Sequence, residues 1–288
     1  MLNAYWQLTK PRISLLFAVT GLTAFVVHGA LLREPVRLAL LTLAVFLIGG
    51  AANTFNQYFE RDIDKQMRRT AKKRPLPLGL MTPRAALLFG IVLGLLGVGL
   101  LWWRGTPLGA LLGLGTILFY GFYYTLWLKP RTPYNIVIGG AAGAAAPLIA
   151  WAAVTGRLDL VPILLFLLIF FWTPPHFWAL ALCCREDYAR VALPMLPIVA
   201  GEEETRRQIF YYSLILLPLS LGLAAVHPVG WLYLGSAGLL GALFIWFAWR
   251  LLRDKTDRAG WRLFGFSILY VLLLFLLLMV DVLFMRHG

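Results

Sequence analysis

The chain has 288 residues, of which 60% are hydrophobic and only 14% charged, with a formal net charge of +13. So few polar residues cannot cover the surface of a soluble globule of this size, so a single water-soluble core is excluded and a bilayer is the expected solvent. The positive charge does not mark a nucleic-acid surface, because it is spread over short segments between apolar runs.

Apolar runs recur at approximately 13–32, 38–57, 85–103, 107–127, 135–154, 160–182, 208–226, 229–249 and 263–284. Each is long enough to cross a hydrocarbon layer of about 30 Å as a helix. The pattern predicts an all-α integral membrane protein with nine transmembrane helices. Of the 26 Lys and Arg residues, only Arg33, Arg37, Arg104, Arg157 and Arg286 fall on one side of that arrangement. The positive-inside bias therefore places the N-terminus in the cytoplasm and the C-terminus on the far side, with anionic headgroups as a secondary contact. The first apolar run is of full span length and lacks a small-residue cleavage pattern, so it is expected to remain in the mature protein. Residues 1–288 are expected to form one membrane-embedded domain, carrying a weak duplication of four-helix units at about 10–130 and 131–250 followed by a ninth helix. Cys183 and Cys184 are adjacent in an apolar run and suit packing better than a metal site.

Following the second apolar run, the stretch NTFNQYFERDID sets Asn56, Glu60 and Asp64 four residues apart. Successive i, i+4 positions share one helix face, and oxygen ligands stacked in this way suit magnesium, which completes its shell with water and phosphate oxygens. Asp62 points off that face and is expected to be solvated or paired with a lysine. Arg68, Lys72, Lys73 and Arg74 follow as diphosphate candidates. Tyr120, Tyr123 and Tyr124, near the end of the fourth run, could present ring faces to a developing cation, although interfacial anchoring is the commoner role. A second charged loop after the sixth run brings Glu186 and Asp187 with Arg190, and Glu202, Glu203 and Glu204 read as a solvated helix start. Acidic loops on one membrane face above an apolar chamber suit removal of a diphosphate from an allylic group. A secondary transporter is the rival class, disfavoured because the acids gather at one face and not at mid-bilayer.

Several motifs resemble one family. NQYFERDIDKQMRRT with RPLP is similar to the first aspartate-rich signature of the UbiA-type intramembrane prenyltransferases. LTKPR at 8–12, LKPRTPYNIVIGGAAGAAAP at 128–147 and PPHFWALALCCREDYARVALPMLP at 174–197 resemble its haem O synthase branch. The resemblance implies nine helices around a central cavity and magnesium-dependent transfer of farnesyl from farnesyl diphosphate to a vinyl group of haem b. By this likeness Asn56, Glu60, Asp64 and Asp187 hold magnesium, with Glu186 ranked below Asp187. Glu60 stands where the family pattern has Asp, and position 191 carries no carboxylate.

Arg12, Arg68, Arg74, Lys129, Arg131, Tyr124 and His176 are the implied substrate contacts, any of the basic groups serving diphosphate or a haem propionate. His176, beside Pro174 and Pro175, has three open readings: a buried histidine bonded to a carbonyl, an axial iron ligand, or a propionate contact. His28, His227 and His287 lie toward the far side. The implied setting is the bacterial cytoplasmic membrane with the site on the cytoplasmic side, and a downstream haem-modifying oxygenase as a partner. An aromatic-acid or chlorophyll-like acceptor is the sibling alternative.

Overall fold

The computed structural model describes residues 2–287, the side chain of His287 excepted, and these residues form helices and short connections without a strand among them. The helices are α1 (Leu2–Leu8), α2 (Pro11–His28), α3 (Pro35–Phe59), α4 (Arg61–Gln66), α5 (Arg68–Ala71), α6 (Pro83–Arg104), α7 (Pro107–Leu118), α8 (Asn135–Ala144) and α9 (Ala146–Thr155). They continue as α10 (Leu160–Cys183), α11 (Arg185–Arg190), α12 (Leu196–Val199), α13 (Glu202–Gly222), α14 (Trp231–Asp254) and α15 (Asp257–His287). Nine spans among the described residues are long and apolar enough to cross a membrane, matching the nine apolar runs of the sequence.

Local chemistry sets the helix ends. Pro11, Pro35, Pro83 and Pro107 each open a helix, where a missing N–H costs nothing. Thr82 and Thr106 cap the last two, their hydroxyls accepting from Ala85 N and Gly109 N at 3.2 Å. The fifth span breaks at Ala145 into α8 and α9, ahead of Pro147. The sixth does not break: α10 runs through Pro174 and Pro175, which are buried inside it.

The most extensive pairing is α3 against α6, where Gly94 and Gly97 let the helices close on Ala51 and Ile48. Helix α2 packs on α3 and α9, α10 on α8, α13 and α15, and α15 returns to α2, closing the bundle.

Between α7 and α8 the fourth span changes pitch. Residues Phe119–Leu128 form a π-helix, in which Lys129 N donates to Tyr124 O at 2.8 Å across five residues. Such segments are rare and gather at functional sites, because the wider turn rotates every following side chain about the axis.

Candidate active site

Helix α3 ends at Phe59 and α4 starts at Arg61, yet the i, i+4 register survives the break. Glu60 N donates to Asn56 O at 3.0 Å and Asp64 N to Glu60 O at 2.8 Å. Asn56, Glu60 and Asp64 are 2%, 5% and 1% exposed, so the acids are withdrawn from water and need partners.

Those partners come from distant parts of the chain. Lys129 Nζ donates to Glu60 Oε1 in direct contact. Arg74 touches Asp64 Oδ2 and lies 3.6 Å from Glu60 Oε2, so its guanidinium bridges the two carboxylates. Lys10 Nζ donates to Asn56 Oδ1 at 2.8 Å, while Asn56 Nδ2 donates to Thr125 Oγ1 at 3.2 Å and Thr125 Oγ1 to Tyr120 O at 2.7 Å. The pairs form a ladder with the π-helical end of the fourth span. Thr125 and Lys129, four residues apart at the end of the fourth span, meet Asn56 and Glu60, four residues apart at the end of α3.

Burial alone would raise the Glu60 carboxyl, but Lys129, Arg74 and Lys10 outweigh it and hold the group down at about 2. Burial pushes Asp64 up from the ordinary carboxylate value, with Arg74 opposing and Glu60 adding to the rise. Lys10 is pushed down, by burial first and then by Arg74.

The two loops are joined. Asp187 Oδ2 accepts from Arg69 N at 2.9 Å, Arg69 stands over the Tyr188 ring at 6.0 Å, and Thr70 Oγ1 donates to Asp64 O at 2.9 Å. Arg68 and Glu186 form an outer pair at 3.8 Å, both largely exposed. Beside the carboxylates a cleft of about 280 Å³ is lined by Gln7, Lys10, Gln57, Arg69, Lys73 and Arg74, with Thr70 and Pro75. Tyr124 is buried, stacked on Tyr120 at 5.2 Å, and its ring lies so close to Gly139 that a Cβ there would sit 2.4 Å from it.

Not every expected residue gathers here. Arg12 is exposed on α2, and Arg131 donates to Trp127 O at 2.8 Å and lies over the Trp127 ring, both away from the lining of the cleft. Asp62 is exposed and paired with Arg61 and Lys65. Lys10, Gln57, Arg69 and Thr125 are additions. Lys10 stands in the LTKPR motif, the one sequence signal for it; Gln57 and Thr125 are neutral side chains with no motif of their own, and Arg69 is one of several basic residues in a row.

The donor set suits magnesium. Glu60 and Asp64 supply hard oxygen ligands to one shared position, which the Arg74 guanidinium spans as a cation. Among the described residues no group of three or more His, Cys, Asp or Glu side chains could hold a metal alone, so water or substrate oxygens must complete the shell. Asn56 Oδ1, like the Glu60 and Asp64 oxygens, is engaged by a side-chain cation, Lys10.

A second centre lies in the bundle. His176 is stacked between Trp172 at 4.4 Å and Phe264 at 4.7 Å. Ser267 Oγ lies 2.6 Å from both Phe264 O and His176 Nδ1, so its single proton can serve either acceptor. The histidine is thus bonded to a hydroxyl and not to a carbonyl. His28, by contrast, packs edge-on against Trp151 at 4.8 Å, and His227 is hydrogen-bonded to Pro228 O at 2.7 Å; the His287 side chain lies outside the described residues.

The model of the UbiA prenyltransferase family matches residues 14–282. The protoheme IX farnesyltransferase of Acidiphilium cryptum is 46% identical over 283 residues, covering 95% of this chain and 89% of that one. Its namesake from Gloeobacter violaceus is 47% identical over 285 residues, covering 99% and 93%. Among solved structures, a digeranylgeranylglyceryl phosphate synthase superposes with a TM-score of 0.79 at 18% identity, covering 98% of each chain. A UbiA homologue from Archaeoglobus fulgidus bound to GPP and Mg2+ gives 0.68 at 18% identity, covering 96% of this chain and 99% of the other. The chain belongs to the UbiA prenyltransferase family.

Proposed function

We propose that the protein transfers the farnesyl group of farnesyl diphosphate to a vinyl group of haem b, giving haem O and diphosphate. The observation that carries this is the buried Glu60–Asp64 pair bridged by Arg74 at the inner end of an apolar bundle. Near-full-length likeness to protoheme IX farnesyltransferases supports the choice of donor and acceptor.

Glu60 and Asp64, with Asp187 from the second loop, would hold magnesium, which when bound draws electron density from the diphosphate. Arg74 and Lys129, which neutralise the acids here, are then free to bond diphosphate oxygens, so the charge leaving with the diphosphate meets fixed donors. The allylic C–O bond breaks with its electron pair on the diphosphate. The vinyl carbon forms the new C–C bond, and water adds to the cation left beside the porphyrin, releasing a proton. Tyr120 and Tyr124 offer stacked rings near Asn56 and Glu60, where such a cation would be favoured. His176, its ring held between two aromatic faces and its Nδ1 tied to Ser267 Oγ, would offer Nε2 to haem iron. The basic inner end is assigned to the cytoplasmic face of the bacterial inner membrane, and a haem-modifying oxygenase is the class of partner that would take the product.

The test is to incubate purified protein in membranes with haem b, farnesyl diphosphate and magnesium. Mass spectrometry should show a haem heavier by a hydroxyethylfarnesyl conversion, and a chelator should abolish it. Unchanged haem beside intact farnesyl diphosphate would sink the proposal, and prenylation of an aromatic acid instead would reassign the acceptor. His176→Ala should alter the haem absorption spectrum; an unchanged spectrum and affinity would remove the iron contact.

A further inference from the structure

His176 is gripped on three sides, and two of the three come from α15. Trp172, one turn earlier on α10, stacks on the imidazole at 4.4 Å, and Phe264 of α15 stacks on it at 4.7 Å. Ser267, one turn beyond Phe264 and fully buried, stands at the Nδ1 edge. Nε2 makes no hydrogen bond among the described residues, and it is not one of the buried polar atoms left without a partner. The ring is therefore fixed at its faces and at Nδ1, and open at Nε2.

Ser267 holds α10 through two different atoms. Trp172 Nε1 donates to its backbone oxygen at 2.8 Å, while its hydroxyl meets His176. Only the second contact depends on the serine side chain. A hydroxyl buried in the apolar run SILYVLLLF is costly unless bonded.

Two proton arrangements are open to the chain His176 Nδ1, Ser267 Oγ and Phe264 O. If the hydroxyl donates to Nδ1, the imidazole proton sits on Nε2, which then has no lone pair for a metal. Oγ and Phe264 O would also face each other as bare acceptors 2.6 Å apart. If the hydroxyl donates to Phe264 O, Nδ1 carries the imidazole proton and donates to Oγ. Both 2.6 Å contacts then hold a proton, no two acceptors collide, and Nε2 keeps its lone pair.

We infer that Ser267 is a positioning residue: by donating to Phe264 O and accepting from Nδ1, it keeps His176 in the tautomer that presents Nε2 as a ligand. This rests on the reading of His176 as the iron contact of haem b. Ligating histidines commonly donate their other ring N–H to an oxygen that fixes tautomer and orientation, and here a serine hydroxyl backed by a helix carbonyl fills that place.

The test uses the full-length protein in detergent as wild type, Ser267→Ala, Ser267→Thr and His176→Ala. Ser267→Ala removes only the hydroxyl, because the Trp172 bond is to the backbone and the stacked rings are other residues. In the haem-free protein, nitrogen–carbon correlation NMR of isotopically labelled histidine reads which ring nitrogen carries the proton. The His176 signal is the one missing from His176→Ala. Wild type should show the proton on Nδ1, and Ser267→Ala should move part or all of it to Nε2. Haem b and metal-free protoporphyrin IX are then titrated separately while the absorption spectrum is recorded. Ser267→Ala should weaken haem b binding by roughly ten- to a hundred-fold, the usual effect of removing the partner of a ligating histidine, and shift the spectrum toward that of His176→Ala. Protoporphyrin IX should bind as it does to wild type. Ser267→Thr, which keeps the hydroxyl, should restore the tautomer and most of the affinity. A wild-type proton on Nε2, a proton distribution unchanged in Ser267→Ala, or equal losses for haem b and protoporphyrin IX overturns the role of Ser267. If His176→Ala leaves the haem b spectrum and affinity unchanged while the NMR pattern holds, the iron contact falls and the proton assignment stands.

Discussion

Buried carboxylates at the two ends of the bundle are satisfied in different ways. At the far end Asp281 of α15 is 3% exposed, and its oxygens accept from Gly230 N at 2.5 Å and Tyr233 N at 3.1 Å, capping the first turn of α14 from a neighbouring helix. At the near end Glu60 and Asp64 are equally buried, but their partners are the side-chain cations Arg74 and Lys129. Backbone donors are anchored by the helix they belong to and cannot leave. Side-chain cations can turn away when a metal or a phosphate arrives, so the near pair can exchange partners and the far carboxylate cannot. Burial of an acid in a membrane protein is thus not in itself a functional sign: both oxygens of Asp281 cap a helix, whereas Glu60 and Asp64 meet side-chain cations and Asp187 engages a single backbone N–H through Oδ2.

The sharpest way to break this comparison is to neutralise both ends without changing shape. Asp64→Asn and Glu60→Gln should each lower farnesyl transfer by on the order of a hundred-fold or more, with haem binding retained. A folded Asp64→Asn protein with normal transfer would remove the metal role from that residue. Asp281→Ala should do the reverse. Two buried N–H groups lose their acceptor, which costs about 1–3 kcal/mol, seen as a lower unfolding temperature with kcat unchanged. Gly230→Ala should resemble it, because the added Cβ would lie 2.7 Å from Asp281 Oδ1.

A pH series sharpens the near end further. The Glu60 carboxyl is held at about 2 in the folded protein against an ordinary 4.5. Its ion pairs therefore contribute fully above the unfolded value and are lost only as pH falls toward the folded one. The difference in unfolding temperature between wild type and Glu60→Gln should be flat from pH 8 to about 5 and shrink below that; a difference that shrinks between pH 8 and 6 would contradict the assignment. The smallest effects belong to Arg12→Ala and Arg131→Ala, whose side chains lie away from the lining of the cleft. Steady-state assays should find kcat/KM within roughly two-fold of wild type, as for surface substitutions, and a ten-fold loss in Arg131→Ala would extend the site onto that loop.

What the sequence determined by itself was whatever depends on spacing along one helix. The nine spans follow from run length, because the thickness of the hydrocarbon layer sets a minimum that composition either meets or does not. The shared face of Asn56, Glu60 and Asp64 was equally legible, since the i, i+4 hydrogen bonds persist across the helix break at Glu60. Only the tertiary structure decided which cations meet those acids. Lys10 reaches Asn56 from 46 positions away and Lys129 reaches Glu60 from 69, whereas Arg131, two residues beyond Lys129, turns back onto Trp127. The physical reason is rotation about the helix axis. The π-helical stretch 119–128 turns the end of the fourth span onto α3 by displacing its backbone hydrogen bonds one residue, and a run apolar on nearly every side has no pattern in its side chains to record that displacement.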